Sequence, residues 1–153
     1  MGDLFLINSL MTLWFPAIVI LMLSTVAGRW VVLGKMGRRR WAAIIPIFST
    51  WEVAKGASGS RALSVVASVA SAVQLLSVLF GLGRYFEKQW LAALLLVLWL
   101  VMQLVVSERL ARAFGSEPGY GYAIGLVLLP FIAYPLLIAD NRVYLGPVDE
   151  AAA

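Results

Sequence analysis

The chain has 153 residues, of which 62% are apolar and only 13% charged, and its net charge is +4. A soluble domain carries about a quarter charged residues, and so much apolar surface cannot be buried in a core this small, which leaves lipid as the solvent. With no Cys and no His, disulfides, thiol nucleophiles, Cys/His metal sites and imidazole catalysis are all excluded.

In chain order, residues 4–27 carry no charge. As a helix they measure about 36 Å, enough to cross a bilayer with some tilt. A secretory signal would have a basic start and a shorter apolar core. Here only Asp3 precedes the run and the first cation is Arg29, so it reads as a retained first span with its N-terminus outside. Pro16 marks where it would kink.

Residues 28–61 form a basic loop holding Arg29, Lys35, Arg38, Arg39, Arg40, Lys55 and Arg61, seven of the 12 Lys and Arg. Inside it, residues 41–53 read WAAIIPIFSTWEV, too short to cross and too apolar for a free loop. Pro46 disfavours a helical Ile45 and divides the segment. It either lies amphipathically in the headgroup plane or dips in as a re-entrant half-span. Lys35, Arg38, Arg39, Arg40, Trp41 and Trp51 are the expected contacts to lipid headgroups or to a partner.

The second span covers 63–82. Ser60, Ser64, Ser68 and Ala72 recur every fourth residue and make one helix face smooth enough for a neighbouring backbone, which predicts the centre of the bundle. Gln74 on this span is read as packing glue. A tight connection follows at 84–89, then a Leu-rich third span at 90–106. That helix is expected to run on through Phe114, with Glu108 and Arg112 paired four residues apart and Gly115 as its left-handed stop. Gln103 falls level with Ser68 to Ser71, which predicts an interhelical hydrogen bond. The fourth span, 120–139, carries Gly121 and Gly125 as a small-xxx-small pair, and Pro130 and Pro135 each remove a backbone donor. It is expected to be bent and protein-facing, with its neighbours absorbing the breaks.

Four spans put both termini on one side. Loops one and three hold nine cations, against three (Arg84, Lys88 and Arg142) in the N-terminus, loop two and the tail. Lys and Arg resist translocation, so loops one and three are cytoplasmic and both termini outside. The expectation is an all-α integral membrane bundle of four transmembrane helices, a single domain over 1–153. Its first cytoplasmic loop carries the re-entrant or interfacial segment. The carboxylates fall in termini, loops and span ends, and no phosphate loop, dinucleotide fingerprint or metal spacing occurs. No catalytic, cofactor-binding or metal-ligating residue is therefore predicted. The function read from this is a non-enzymatic accessory or scaffold subunit packed against a larger membrane complex. The alternative is a small oligomeric transporter, channel or lipid-handling protein. Partners would be the bilayer with its anionic headgroups and either other membrane subunits or further copies of the chain. Because the cations sit beside apolar spans, headgroups account for them more simply than nucleic acid does.

Gly34-Lys35 followed by WAAIIPI at 41–47, LARAFG at 110–115, GYAIGLVLLPFIAYP at 121–135 and YLGP at 144–147 resemble an uncharacterised family of small bacterial multi-span membrane proteins. That family is a domain of unknown function, sometimes labelled or fused with signal peptidase I. The resemblance covers about 34–147 and is most specific in its C-terminal half. It implies a helical fold in the bacterial cytoplasmic (inner) membrane and carries over no catalytic residue. The family usually has an aromatic-rich segment and a second Ile-Pro where this chain has its Ser/Ala ridge, and it tends to have Asn near Ser49. A signal peptidase needs a Ser nucleophile and a Lys base together at the outer face. Lys35 and Lys55 fall on the inner side and only Lys88 outside, so the chain is not expected to be the peptidase.

Overall fold

The computed structural model describes residues 2–79, 89–116, 120–139 and 142–148, and these are all-helical. Among the described residues six helices form: α1 (Gly2–Lys35), α2 (Pro46–Ser58), α3 (Arg61–Leu79), α4 (Gln89–Ala113), α5 (Tyr120–Leu128) and α6 (Pro130–Ala139), with a short 3-10 turn at Arg40–Ile44 before α2. Three of them are long and apolar enough to cross a membrane: α1 over Phe15–Lys35, α3, and α4 over Ala93–Ala113. The predicted 84–89 connection lies, apart from Gln89, outside the described residues.

The first helix does not end at residue 27. Nothing between Ala27 and Gly37 breaks the helical ladder, and Val32 and Leu33 are fully buried against the rest of the bundle, so Arg29 to Lys35 continue α1. The predicted 28–61 loop shrinks accordingly to residues 36–45, and α2 fills much of the remainder. Pro46 sits at the start of α2, where its missing N–H costs nothing.

α2 buries Ser49, Thr50, Val53, Ala54, Gly56, Ala57 and Ser58, almost all small. Its partner is the smooth face of α3, where Ser64, Ala67, Ser68 and Ser71 are buried. Two small-residue faces let the backbones approach, and α2 packs on α3, α4, α1 and the 3-10 turn. The buried stripe on α3 runs through Ser71, and the predicted ridge residue Ala72 is only half-buried. Ser60 caps α3 by accepting the Leu63 N–H at 3.3 Å. The apolar segment 41–53 is therefore drawn into the body of the bundle, with Ala42, Ala43 and Val53 in its core.

The predicted fourth span is not one helix. Leu129 lies outside helix and Pro130 opens α6, because the proline ring disfavours a helical residue before it. A Cβ on Gly125 would lie 3.5 Å from the Ala133 Cβ, whereas eight residues of continuous helix separate their ends by about 12 Å. The chain has folded back. Arg142 lies 4.7 Å over the Tyr122 ring, so the two ends of 120–139 meet at one end of the bundle. Leu145 joins them there by donating its N–H to the Ala113 carbonyl at 2.8 Å. Four predicted crossing segments thus become three long helices and a short helical hairpin.

α6 runs alongside α1 in the same direction. Pro135 leaves the carbonyl four residues earlier, on Phe131, without its helical donor, and Ser24 on α1 donates its hydroxyl to that oxygen at 3.1 Å. The neighbouring helix absorbs the break as expected. The core gathers at the end where α1 finishes, around Leu33, Ala54, Leu110, Phe114, Tyr134 and Leu137. Away from that end α1 stands clear over residues 15–23, with Phe15 72% and Met22 67% exposed.

Candidate functional site

Beyond α1 the chain turns at Gly37 and brings Arg38 and Arg39 back over α2. The Arg38 guanidinium lies 3.5 Å from a Glu52 carboxylate oxygen, with the two side chains 28% and 15% exposed. Lys55 follows Glu52 three residues later on the same helix, close enough to share its face. Trp41, on the 3-10 turn, meets Phe48 with ring centroids 6.0 Å apart and planes tilted by 49°, an arrangement aromatic quadrupoles favour. These groups, with Trp51, Gly37 and Ala42, line a cavity of about 440 Å³.

Four of the six predicted contact residues, Arg38, Arg39, Trp41 and Trp51, converge here. The other two do not. Lys35 points to the end of α6, donating to the carbonyls of Ile138 at 3.3 Å and Arg142 at 3.4 Å. Arg40 lies along α1, its guanidinium against Gly34. Phe48, Glu52 and Lys55 were not expected. Their spacing puts them, with Trp51, on one helix face, a signal available once 46–58 is read as helix.

Chemically, the pocket sets three cations against one carboxylate. With Glu52 held on Arg38, Arg39 and Lys55 remain for an anion. A guanidinium fork and an ammonium both suit phosphate oxygens, and tryptophan walls suit a headgroup at a lipid–water boundary.

A second cluster surrounds Arg29. Its Nε donates to the Tyr134 hydroxyl at 3.3 Å and its Nη1 to Ser49 Oγ at 3.2 Å, while the guanidinium lies 5.5 Å from the centre of the Tyr134 ring. One α1 cation thus ties together the early parts of α2 and α6. The sequence reading placed it in a loop, and its partners, 20 and 105 residues away, leave no local signal.

A third runs across the helices. Gln103 Nε2 donates to Ser71 Oγ at 3.1 Å, Ser71 to Thr50 Oγ1 at 3.3 Å, and Thr50 to the Pro46 carbonyl at 3.0 Å. The predicted Gln103 bond is present, and Thr50 extends it to α2. Gln74 is half-buried and takes no part. Ser64 donates to the Ser60 carbonyl at 2.8 Å, and the buried Ser68 hydroxyl has no hydrogen-bond partner. Glu108 and Arg112 pair as expected.

Gly121 and Gly125 do not close on another long helix. They line an apolar cavity of about 440 Å³ between α5 and α6, with Leu129, Ile132 and Leu136. A Cβ on Gly121 would meet nothing within 4 Å. Among the described residues no group of three or more Asp or Glu gathers to hold a metal. No family model, curated protein or solved structure matches the chain.

Proposed function

We propose that the chain is a non-enzymatic integral membrane protein of the bacterial inner membrane. It acts as an accessory or scaffold subunit whose cytoplasmic end holds an anionic, phosphate-bearing headgroup. The observation that carries this is the convergence of Arg38, Arg39 and Lys55 with Trp41, Phe48 and Trp51 on one cavity. Three helices of crossing length support the membrane setting, and the gathering of cations at one end supports its cytoplasmic side. The exposed apolar stretch of α1 at 15–23 and the groove at Gly121 and Gly125 are the faces left for neighbours in the bilayer.

The bond between Thr50 and Ser71 supports a dipping rather than a flat 41–53. Ser71 lies ten residues into α3, about 15 Å along it, roughly half of a ~30 Å hydrocarbon core. In this arrangement residues 37–58 and 120–139 both enter from the cytoplasmic end and return to it. Three crossings put the N-terminus outside and residues 142–148 with the cytoplasmic loops, in place of the expected pair of outer termini.

The test is native mass spectrometry of the purified chain extracted from bilayers of phosphatidylcholine and phosphatidylglycerol. The wild type is expected to retain the anionic lipid and the R38A/R39A/K55A variant to lose it, with unchanged helix content. Equal retention by both proteins refutes the reading.

The Arg29 junction favours a second reading, a small oligomeric transporter or lipid-handling protein. Short helices that start within the bilayer and face one another are how such proteins build a path. Flux or lipid transfer in proteoliposomes that disappears in R29A would favour it over the scaffold.

A further inference from the structure

We infer that the pocket takes a dianionic phosphomonoester in preference to a monoanionic phosphodiester, and that Glu52 tunes its affinity by competing for Arg38. This rests on the reading of the pocket as an anion site. Arg38, Arg39 and Lys55 against Glu52 leave a net lining charge of +2. A phosphodiester headgroup brings one negative charge and leaves the pocket cationic. A phosphomonoester brings nearly two at neutral pH, with three acceptor oxygens, and matches both the charge and the number of donors. Among the described residues no carboxylate pairs with Arg39 or Lys55, whereas Arg38 is engaged by Glu52 at 3.5 Å.

The Glu52 side chain, at 15% exposed, is mostly covered, so solvent screens its charge less than that of a surface residue. An anion entering the cavity must displace it from Arg38 or accept its repulsion. The aromatic walls point to a phosphate carried on a lipid. Trp41 and Trp51 border the same cavity as the cations, and amphipathic indole rings settle where headgroup meets acyl chain.

The experiment is titration of the full-length protein in neutral detergent, followed by native mass spectrometry. The probes are short-chain phosphatidate, short-chain phosphatidylglycerol and soluble glycerol 3-phosphate. One added unit of charge beside the pocket is worth about tenfold in affinity, so phosphatidate should bind about tenfold tighter than phosphatidylglycerol. E52Q should tighten both lipids. K55M, which lowers the net lining charge, should narrow the ratio between them.

Equal affinity for the two lipids in the wild type overturns the phosphomonoester assignment and leaves the anion site standing. Unchanged binding of both lipids by E52Q overturns the competition with Arg38. If R38A/R39A/K55A binds both lipids like the wild type, the anion-site reading itself fails. Glycerol 3-phosphate binding as tightly as phosphatidate would support the phosphomonoester chemistry and overturn its assignment to a lipid.

Discussion

Gly28 on α1 lies so close to α6 that an added Cβ would sit 2.4 Å from the Tyr134 Cβ. Both atoms are fixed to the backbone, so no rotamer relieves the clash. Ordinary contact begins at 3.4 Å, and Gly28→Ala must therefore push the two helices apart by about 1 Å. Overpacking of this kind costs about 1–3 kcal/mol. The same movement stretches the Ser24 bond to the Phe131 carbonyl and the Arg29 bond to the Tyr134 hydroxyl, now 3.1 and 3.3 Å, beyond hydrogen-bonding range, at about 0.6 kcal/mol each. The expected loss is about 2–4 kcal/mol. It is measurable as a shift in the sodium dodecyl sulfate concentration that unfolds the purified protein in mixed micelles. Since the clash is with Cβ, Tyr134→Ala should not rescue Gly28→Ala, whereas Tyr134→Gly should recover part of the loss. A Gly28→Ala protein within about 0.5 kcal/mol of wild type, or one fully rescued by Tyr134→Ala, would refute the close-approach argument.

Gln103→Leu should cost about 0.6 kcal/mol, and up to about 1.7, through loss of its bond to Ser71. Combined with Thr50→Val it should be non-additive in the same titration, because Ser71 links the two; additivity within about 0.3 kcal/mol would dissolve the network. Gly115, at φ 74°, ends α4 in the left-handed region, and Gly115→Ala should destabilise by about 1 kcal/mol in that assay. The chain has no cysteine of its own, so single cysteines at Arg61, Tyr120 and Leu145 can be probed with an impermeant maleimide in sealed vesicles. All three should label from one side, and labelling of 120 and 145 from opposite sides would rule out the α5–α6 hairpin.

The features written locally in the sequence reappear in the structure. Glu108 with Arg112 and the stop at Gly115 depend on residues within one or two turns, and both are present. Gln103 could be matched to Ser71 by counting along two antiparallel helices. The fold-back at Leu129 could not, because a kinked span and a hairpin share one composition. What separates them is the approach of Gly125 to Ala133 and of Arg142 to Tyr122, contacts that hydropathy does not encode. The end of α1 was misread for a related reason. Arg29 looks like the first loop cation until Ser49 and Tyr134 are seen to accept its hydrogen bonds. The pocket is half legible: Arg38, Arg39 and the tryptophans stand out by type, while Phe48, Glu52 and Lys55 join them only through the helical phase of α2.

α1 is 34 residues long, about 51 Å; it is exposed over residues 15–23 and packs on its neighbours over its last third. On the proposed orientation its free portion crosses the outer part of a hydrocarbon layer that is ~30 Å thick. Hydrophobic mismatch is met by tilting or by local deformation of the lipid, at fractions of a kcal/mol per Å. Here that adjustment falls on a segment that carries none of the side chains lining the Arg38–Lys55 pocket or forming the polar network. A thicker or thinner membrane should therefore change the lean of α1 while the packed half of the bundle keeps its geometry.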